Sequence, residues 1–129
     1  MLNKEALSYL NDFITYCNEL GNNALIIVEG KRDTRTLRLL GITSNIIEKG
    51  QKSQVKLVDM AFNAPIIIIL TDFDRKGRHL RKIIQNEIQS RKNHGKIDNH
   101  ARQLLYKLCR AYRINEIEDL DRFAMNVQR

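Results

Sequence analysis

The sequence has little of what a disulfide-rich, zinc-binding or membrane-spanning protein needs. Its 129 residues include two cysteines, one proline and no tryptophan. Cys17 and Cys109 lie far apart and form no CxxC pair, so neither a zinc site nor a disulfide framework is expected, and a reducing cytoplasm is the simpler location. The longest apolar run, residues 66–70, has strand length, whereas a membrane helix needs about 20 residues. The opening residues also lack the pattern of a signal peptide.

The net charge of +7 is concentrated in one part of the chain. Residues 71–113 carry 12 basic and only 4 acidic side chains, whereas residues 1–70 carry 8 and 7, and residues 114–129 carry 2 and 4. A locally positive surface suits a polyanion such as a nucleic acid. A solvated basic surface is the plain alternative, and a protein partner is another.

Helical and strand patterns alternate along the chain and predict an α/β protein. Strands are expected at residues 24–28, 45–48 and 66–71, with a short fourth strand around Ile97. Helices are expected at 2–20, from Asp33 or Thr34 to Gly41, at 53–61 and 77–91, within a helical C-terminal extension of about 100–126, and finally at 117–124. This alternation predicts one domain over residues 1–129, with a central, mostly parallel sheet of about four strands flanked by helices in three layers.

Acidic residues follow two of the predicted strands directly. Glu29 comes after the first strand, and Asp72 and Asp74 come after the third. Residues i and i+2 of an extended chain face the same side, so Asp72 and Asp74 can converge while Phe73 points towards the core. If the first and third strands are neighbours, Glu29 meets them at the carboxyl edge of the sheet, where open α/β sheets bind ligands. Crowded carboxylates need a hard cation, and oxygen ligands suit Mg²⁺, with Mn²⁺ as a substitute.

The segments around these acids carry a family resemblance. Residues 25–33 (LIIVEGKRD) and 69–78 (ILTDFDRKGR) resemble the two signatures of the Toprim superfamily, and the resemblance covers roughly residues 24–90. That superfamily includes topoisomerases, bacterial-type primases, some nucleases and the bacterial maturase of the 5S ribosomal RNA precursor. The resemblance implies a Rossmann-like Toprim fold in which Glu29 is a general acid/base or metal ligand and Asp72 and Asp74 bind Mg²⁺. Asp33 also matches the first signature, although it could simply cap its helix.

Glycines and basic residues surround the acids. Gly30 and Gly77 would allow tight turns or the close approach of a phosphate, and Gly77 would open a helix whose N-terminal amides favour an anion. The flanking cations would contact phosphates, with ordinary surface as the alternative: Lys31, Arg32, Arg75, Lys76, Arg78 and Arg81. Three later arginines extend the same track more weakly: Arg102, Arg110 and Arg113.

These observations predict a Mg²⁺-dependent enzyme of nucleic-acid phosphodiester chemistry, a nuclease or RNA-processing factor, with RNA somewhat favoured over DNA. The alternative is a non-catalytic RNA- or DNA-binding module, acting as a subunit of a larger complex or as a homo-oligomer. Priming and topoisomerase activity would need further parts for which 129 residues leave no room. A haloacid-dehalogenase-like phosphatase is a weaker rival, because DFDRKG resembles its DxD motif, but that motif normally lies near the N-terminus.

Overall fold

The computed structural model describes residues 3–126 and contains a four-stranded, fully parallel sheet between helices. Its strands are β1 (Ala24–Val28), β2 (Asn45–Glu48), β3 (Ile66–Ile69) and β4 (Lys96–Asp98), in the spatial order β2-β1-β3-β4. Its α-helices are α1 (Lys4–Leu20), α2 (Lys31–Leu39), α3 (Gln54–Ala61), α4 (Arg75–Gln89) and α5 (His100–Ala111). Two 3₁₀ segments follow α1 and α5, at Gly21–Asn23 and Ile117–Asn126. The α/β architecture expected from the sequence is confirmed.

The sheet separates two hydrophobic layers. On one face, α3 and α4 pack against strand residues that include Ile27 and Ile69. On the other face, α1, α2, α5 and the C-terminal 3₁₀ segment cover Ile26, Ile68 and Leu70. Because helices cover both faces, the strands are apolar at successive positions rather than at alternate ones. No helix within residues 3–126 is long and apolar enough to cross a membrane.

Two element boundaries differ from the expected ones near the acids. Helix α2 begins at Lys31, because Gly30 is its N-cap and the Gly30 N–H donates to the Asp33 carboxylate at 3.1 Å. Asp33 therefore lies inside the first turn of α2 rather than before it. Strand β3 ends at Ile69 rather than at Thr71, so that a short irregular segment leads from the sheet to the acids.

The C-terminal segment differs from the expected one in its type of helix. The segment Ile117–Asn126 is a 3₁₀ helix instead of an α-helix, and it packs beside α2. The Thr36 hydroxyl of α2 donates to the Glu118 carbonyl of this segment at 3.1 Å. Leu2, which belongs to the expected first helix, lies outside the described residues. The 3₁₀ segment matters for function because its first residue reaches the acidic edge of the sheet.

Candidate metal centre

The carboxyl ends of β1 and β3 are adjacent, which fulfils the condition under which Glu29 meets the aspartates. The two strands pair in parallel, with Ile27 beside Ile69. Glu29 follows β1 directly, and residues 70–74, which follow β3, lie at the same carboxyl edge of the sheet. The Asp72 N–H donates to Glu29 Oε2 at 2.7 Å. One acid from each of the two sequence motifs therefore lies at the same edge of the sheet, joined through a main-chain hydrogen bond.

The Asp72 carboxyl is half-buried beside other acids. Its Oδ1 accepts a hydrogen bond from the Ile117 N–H at 2.8 Å. Burial raises the pKa of Asp72 to about 7, with the Ile117 N–H acting in the opposite direction and the Glu29 and Asp33 carboxylates adding to the rise. The negative charge of Asp72 is therefore costly near neutral pH, and a bound cation would relieve that cost.

Asp33 joins this acidic group while it also caps α2. Its side chain is buried, and burial is the main reason that its pKa is raised. The Gly30 N–H opposes this rise, whereas the Glu29 and Glu118 carboxylates increase it. Capping and membership of the acidic cluster, which the sequence presented as alternatives, coexist in one side chain.

Asp74 and Gly77 set the start of α4. Asp74 is the N-cap, and its Oδ1 accepts from the Gly77 N–H at 2.7 Å, so the helix begins at Arg75 rather than at Gly77. A Cβ on Gly77 would lie 2.1 Å from the Asp72 carbonyl oxygen, which leaves room for glycine alone. The Thr71 hydroxyl donates to the Gly77 carbonyl at 2.7 Å. The Gly77 amide thus donates to Asp74, and the approach of a phosphate to the N-terminus of α4 stays a prediction.

The three predicted ligands differ in where their carboxylates are held. Asp72 and Asp74 accept from different main-chain amides. The carboxylate oxygens of Glu29, Asp72 and Asp74 do not all lie within 4.8 Å of one another. Within residues 3–126, the acids that meet this distance are those of a neighbouring group: Glu116, Glu118 and Asp119. The donor set still fits Mg²⁺, which takes oxygen ligands, often uses only one or two carboxylates and keeps several of its waters.

Arg102 has a structural role that its place in the sequence did not reveal. It was expected as an outlying phosphate contact, but its guanidinium is buried and donates to three carbonyls at the end of β3. These are the carbonyls of Ile69 at 3.3 Å, Thr71 at 2.6 Å and Asp72 at 3.2 Å. The same guanidinium lies 4.5 Å from the centre of the Phe73 ring, which is buried as expected. Arg102 therefore positions the segment that carries both aspartates.

Most of the predicted phosphate-binding cations are exposed, and they flank the acids at the starts of α2 and α4. Arg81 alone among them is half-buried, whereas five are exposed: Lys31, Arg32, Arg75, Lys76 and Arg78. Arg32 lies 3.8 Å from the Glu118 carboxylate in an ion pair. Gly30 has an extended backbone, and a Cβ there would meet no atom within 4 Å, so the fold alone does not require glycine at this position.

A cavity of about 260 Å³ opens beside Glu29. Its lining includes the basic residues Lys49, Lys76 and His79. Lys76 is one of the cations expected near the acids, whereas the sequence pattern assigns no site role to Lys49, and His79 lacks the spacing of a metal ligand. The only signal for Lys49 is its place directly after β2, whose carboxyl end lies at the same edge of the sheet as Glu29. The cavity brings a carboxylate and two lysines to one opening, a combination that suits a phosphate and the group that reacts with it.

Comparisons with known proteins agree with the fold. A family model described as the Toprim domain matches residues 24–117, which extends past the motifs into α5 and the 3₁₀ segment. A UPF0292 protein of Thermococcus sibiricus is 37% identical over 76% of this chain and 75% of its own length. A UPF0292 protein of Pyrococcus abyssi is 36% identical over 74% and 70%, respectively. A solved structure of a protein from Aquifex aeolicus superposes with a TM-score of 0.69 at 27% identity, covering 84% of this chain and 94% of that one.

Proposed function

The chain belongs to the Toprim family, and from that premise we propose that it is a Mg²⁺-dependent enzyme acting on the phosphodiester bonds of nucleic acids, a nuclease or RNA-processing factor. The observation that carries the proposal is the 2.7 Å hydrogen bond from the Asp72 N–H to the Glu29 carboxylate. This contact puts acids of both Toprim motifs at one edge of the sheet, where such sheets bind ligands. The proposed enzyme is one Toprim-type domain over residues 1–129.

The metal would be held by Asp72 and Asp74 together with Glu29. The raised pKa of Asp72 supports this assignment, because an acid that is costly to ionise alone gains most from a neighbouring cation. When bound, Mg²⁺ supplies stabilisation of the negative charge that develops on the phosphate oxygens. Asp33 would act indirectly, by adding negative charge beside Asp72 while holding the first turn of α2.

Glu29 would take up or release the proton of the reacting oxygen. One of its carboxylate oxygens accepts from the Asp72 N–H, and the residue also lines the cavity that contains Lys49 and Lys76. A carboxylate in that position suits general acid–base catalysis, provided that the reacting oxygen comes within hydrogen-bond distance. The two lysines would bind the phosphate and balance its charge.

The remaining cations would contact the strand on either side of the reacting phosphate. Their exposed side chains stand next to the acids in sequence and at the starts of α2 and α4 in the fold: Lys31, Arg32, Arg75 and Arg78. Contacts to phosphates position a nucleic acid without reading its sequence. RNA is somewhat favoured over DNA as the substrate, and both belong in the first experiment.

The test is cleavage of labelled single- and double-stranded RNA and DNA, with Mg²⁺ or with EDTA. We expect cleavage that requires Mg²⁺ and falls at least about 100-fold in Glu29→Gln, the usual loss on removing a general acid or base. The carbonyl of the substituted amide can still accept the Asp72 N–H, so this variant keeps the main-chain contact. The matched control is Asp119→Asn, which removes one exposed carboxylate of the neighbouring acidic group and should leave cleavage unchanged.

Other results of the same experiment would point elsewhere. Binding that is lost on adding EDTA, with no cleavage of any substrate, would support the non-catalytic module, in which the acids hold Mg²⁺ only to bridge phosphates. Cleavage that is equally fast in Glu29→Gln and in EDTA would contradict the assigned site. A protein that neither binds nor cleaves any of these nucleic acids would contradict the proposal, and the search would then turn towards a protein partner.

A further inference from the structure

A pocket of about 420 Å³ lies between α4 and α5, next to the segment that carries the aspartates. Phe73, the residue between Asp72 and Asp74, lines it together with Arg102. Helix α4 contributes Arg78 and Arg81, and the start of α5 contributes further polar and aromatic side chains. We call this the arginine pocket. None of the roles assigned above to the acids or to the exposed cations explains its aromatic lining.

The arginine pocket has an excess of positive charge. Three of its lining residues are arginines, and none is acidic. Within residues 3–126, the ion pairs of arginines are made by Arg32 and Arg91 and not by the pocket arginines. Cations that repel one another in a partly closed space favour an anionic occupant.

Two of these arginines are held in place by neutral partners. Arg78 donates through Nη1 to the Phe73 carbonyl at 3.2 Å. Arg81 donates through Nη2 to the Asn99 side-chain oxygen at 2.7 Å. Each of these bonds uses one nitrogen of a guanidinium that has several N–H donors. The arginines are therefore oriented towards the pocket by the fold and keep donors for a ligand.

Helix α5 contributes an aromatic ring and a side-chain amide to the pocket. Tyr106 is 44% exposed, and its ring centre lies 5.5 Å from that of Phe73. Gln103 lies three residues earlier on the same helix, so both side chains face the pocket. An accessible aromatic ring next to arginines and side-chain amides is the combination on which proteins stack unpaired nucleobases.

We propose that the arginine pocket binds one unpaired nucleotide of the substrate strand, next to the bond that reacts. Its base would stack on Tyr106, its phosphate would contact Arg78 and Arg81, and the amide of Gln103 would contact the edge of the base. This inference rests on the proposed function, since it takes the substrate to be a nucleic acid. It narrows the substrate class to single strands or locally unpaired sites, because a base inside a duplex is not available for such stacking.

The test compares two strands that differ only in their bases. One is a short labelled single-stranded RNA, and the other is the same RNA with abasic residues, which keeps every phosphate. Fluorescence anisotropy in Mg²⁺ gives both affinities, with Glu29→Gln as the parent protein so that the strand is not cut. We expect the parent to bind the intact strand about tenfold more tightly than the abasic one, as one base–aromatic stack predicts. A matched pair of DNA strands shows whether the preference is shared.

Substitutions of Tyr106 test whether this residue causes the preference for the intact strand over the abasic one. Tyr106→Phe keeps the ring and should keep the tenfold ratio, whereas Tyr106→Ala should bring the ratio close to one while leaving binding of the abasic strand unchanged. Circular dichroism melting confirms that both variants fold. If the parent binds both strands tightly but equally, or if Tyr106→Ala keeps the ratio, the pocket assignment is overturned and the proposed function stands. Binding of neither strand by the parent overturns both.

Discussion

Asp72 occupies a position that favours its charge in one way and opposes it in another. The Ile117 N–H donates to its carboxylate, but burial and the charges of Glu29 and Asp33 raise its pKa from the usual 3.8 to about 7. A carboxyl group with a higher pKa in the folded state binds its proton more tightly there than in the unfolded chain. Its contribution to stability is therefore present at low pH and is lost as the pH rises from about 4 to about 7.

The first prediction is that Asp72→Asn stabilises the metal-free protein. The oxygen of the substituted amide can still accept the Ile117 N–H, while the costly charge is removed. The gain in free energy of unfolding should be about 1–2 kcal/mol at about pH 8, after allowance for solvent screening of a half-exposed group, and should shrink towards zero near about pH 4. Thermal unfolding in EDTA, followed by circular dichroism across this pH range, measures it.

Addition of Mg²⁺ separates this explanation from a general effect of charge. Saturating Mg²⁺ should raise the Tm of the wild-type protein and leave Asp72→Asn nearly unchanged, because binding to the folded state stabilises it by mass action. Asp12→Asn removes an exposed carboxylate on α1 and corrects for the change in net charge. A wild-type protein that is more stable than Asp72→Asn at high pH without metal would contradict the prediction.

At the scale of elements, the bounds of β1 and β2 could be predicted, whereas the end of β3 and the starts of α2 and α4 could not. A strand buried on both faces is a continuous apolar run, so β1 and β2 begin and end where the sequence places them. The starts of α2 and α4 depend on Gly30 and on Asp74, which the sequence indicates as ligand-binding residues rather than as helix caps. When one residue both caps a helix and belongs to the site, its sequence signal for ligand binding obscures its role as a helix cap.

Interactions between distant residues account for the rest of what the sequence did not predict. Glu29 and the aspartates could be placed together because strands of one parallel sheet end at a common edge. The Ile117 N–H reaches Asp72 across 45 residues, and Arg102 reaches the Asp72 carbonyl across 30. Neither interaction has a local signal, since a main-chain amide carries no residue type and a buried arginine is rare enough to be read as exposed.

The second prediction concerns the junction of β3 and α4. Alanine in place of glycine within a helix usually stabilises a protein by about 0.5–1 kcal/mol. At Gly77 the sign should reverse, because the new Cβ would lie 2.1 Å from the Asp72 carbonyl oxygen, a main-chain atom that cannot turn away. We expect Gly77→Ala to lower the free energy of unfolding by about 1–3 kcal/mol, as measured by urea denaturation.

Gly30→Ala is the matched control for this junction. A Cβ at Gly30 has no atom within 4 Å, and the backbone there is extended, so alanine fits without strain. The cost should not exceed about 1 kcal/mol, the difference between glycine and alanine as an N-cap. Equal losses in the two variants would mean that close packing of α4 against the Asp72 main chain does not explain the glycine.

At the scale of the whole molecule, the basic residues are distributed unevenly along the chain. Residues 71–113 contain most of the excess positive charge. Within this stretch, α4 starts beside the acids at the carboxyl edge, and the chain after it returns to the opposite edge, where the Lys96 N–H donates to the Pro65 carbonyl. Basic residues of the same stretch therefore lie at both edges of the sheet. The exposed ones at the start of α4, together with the buried Arg102, are next to the proposed metal centre.

The last prediction compares the basic residues at the start of α4 with those at the opposite edge of the sheet. A double variant, Arg75→Gln with Lys76→Gln, should weaken binding of a labelled RNA and reduce the slope of log affinity against log salt by about one for each phosphate that the protein no longer neutralises. Both side chains are exposed, so their removal should not alter the fold. Anisotropy titrations over a range of KCl concentrations, in the Glu29→Gln background, give the slopes.

The control changes the same net charge at the opposite edge of the sheet. Lys92→Gln with Lys96→Gln removes two exposed cations away from the start of α4. Lys92 follows the far end of α4, whose 15 residues span about 22 Å, and Lys96 pairs with Ile66, the first residue of β3. Exposed charges separated by more than the Debye length, about 8 Å at physiological salt, are largely screened. If nucleic acid binds at the acidic edge, this control keeps the wild-type slope. If both double variants reduce the slope equally, the net charge of the molecule attracts the RNA and the start of α4 is not its binding site.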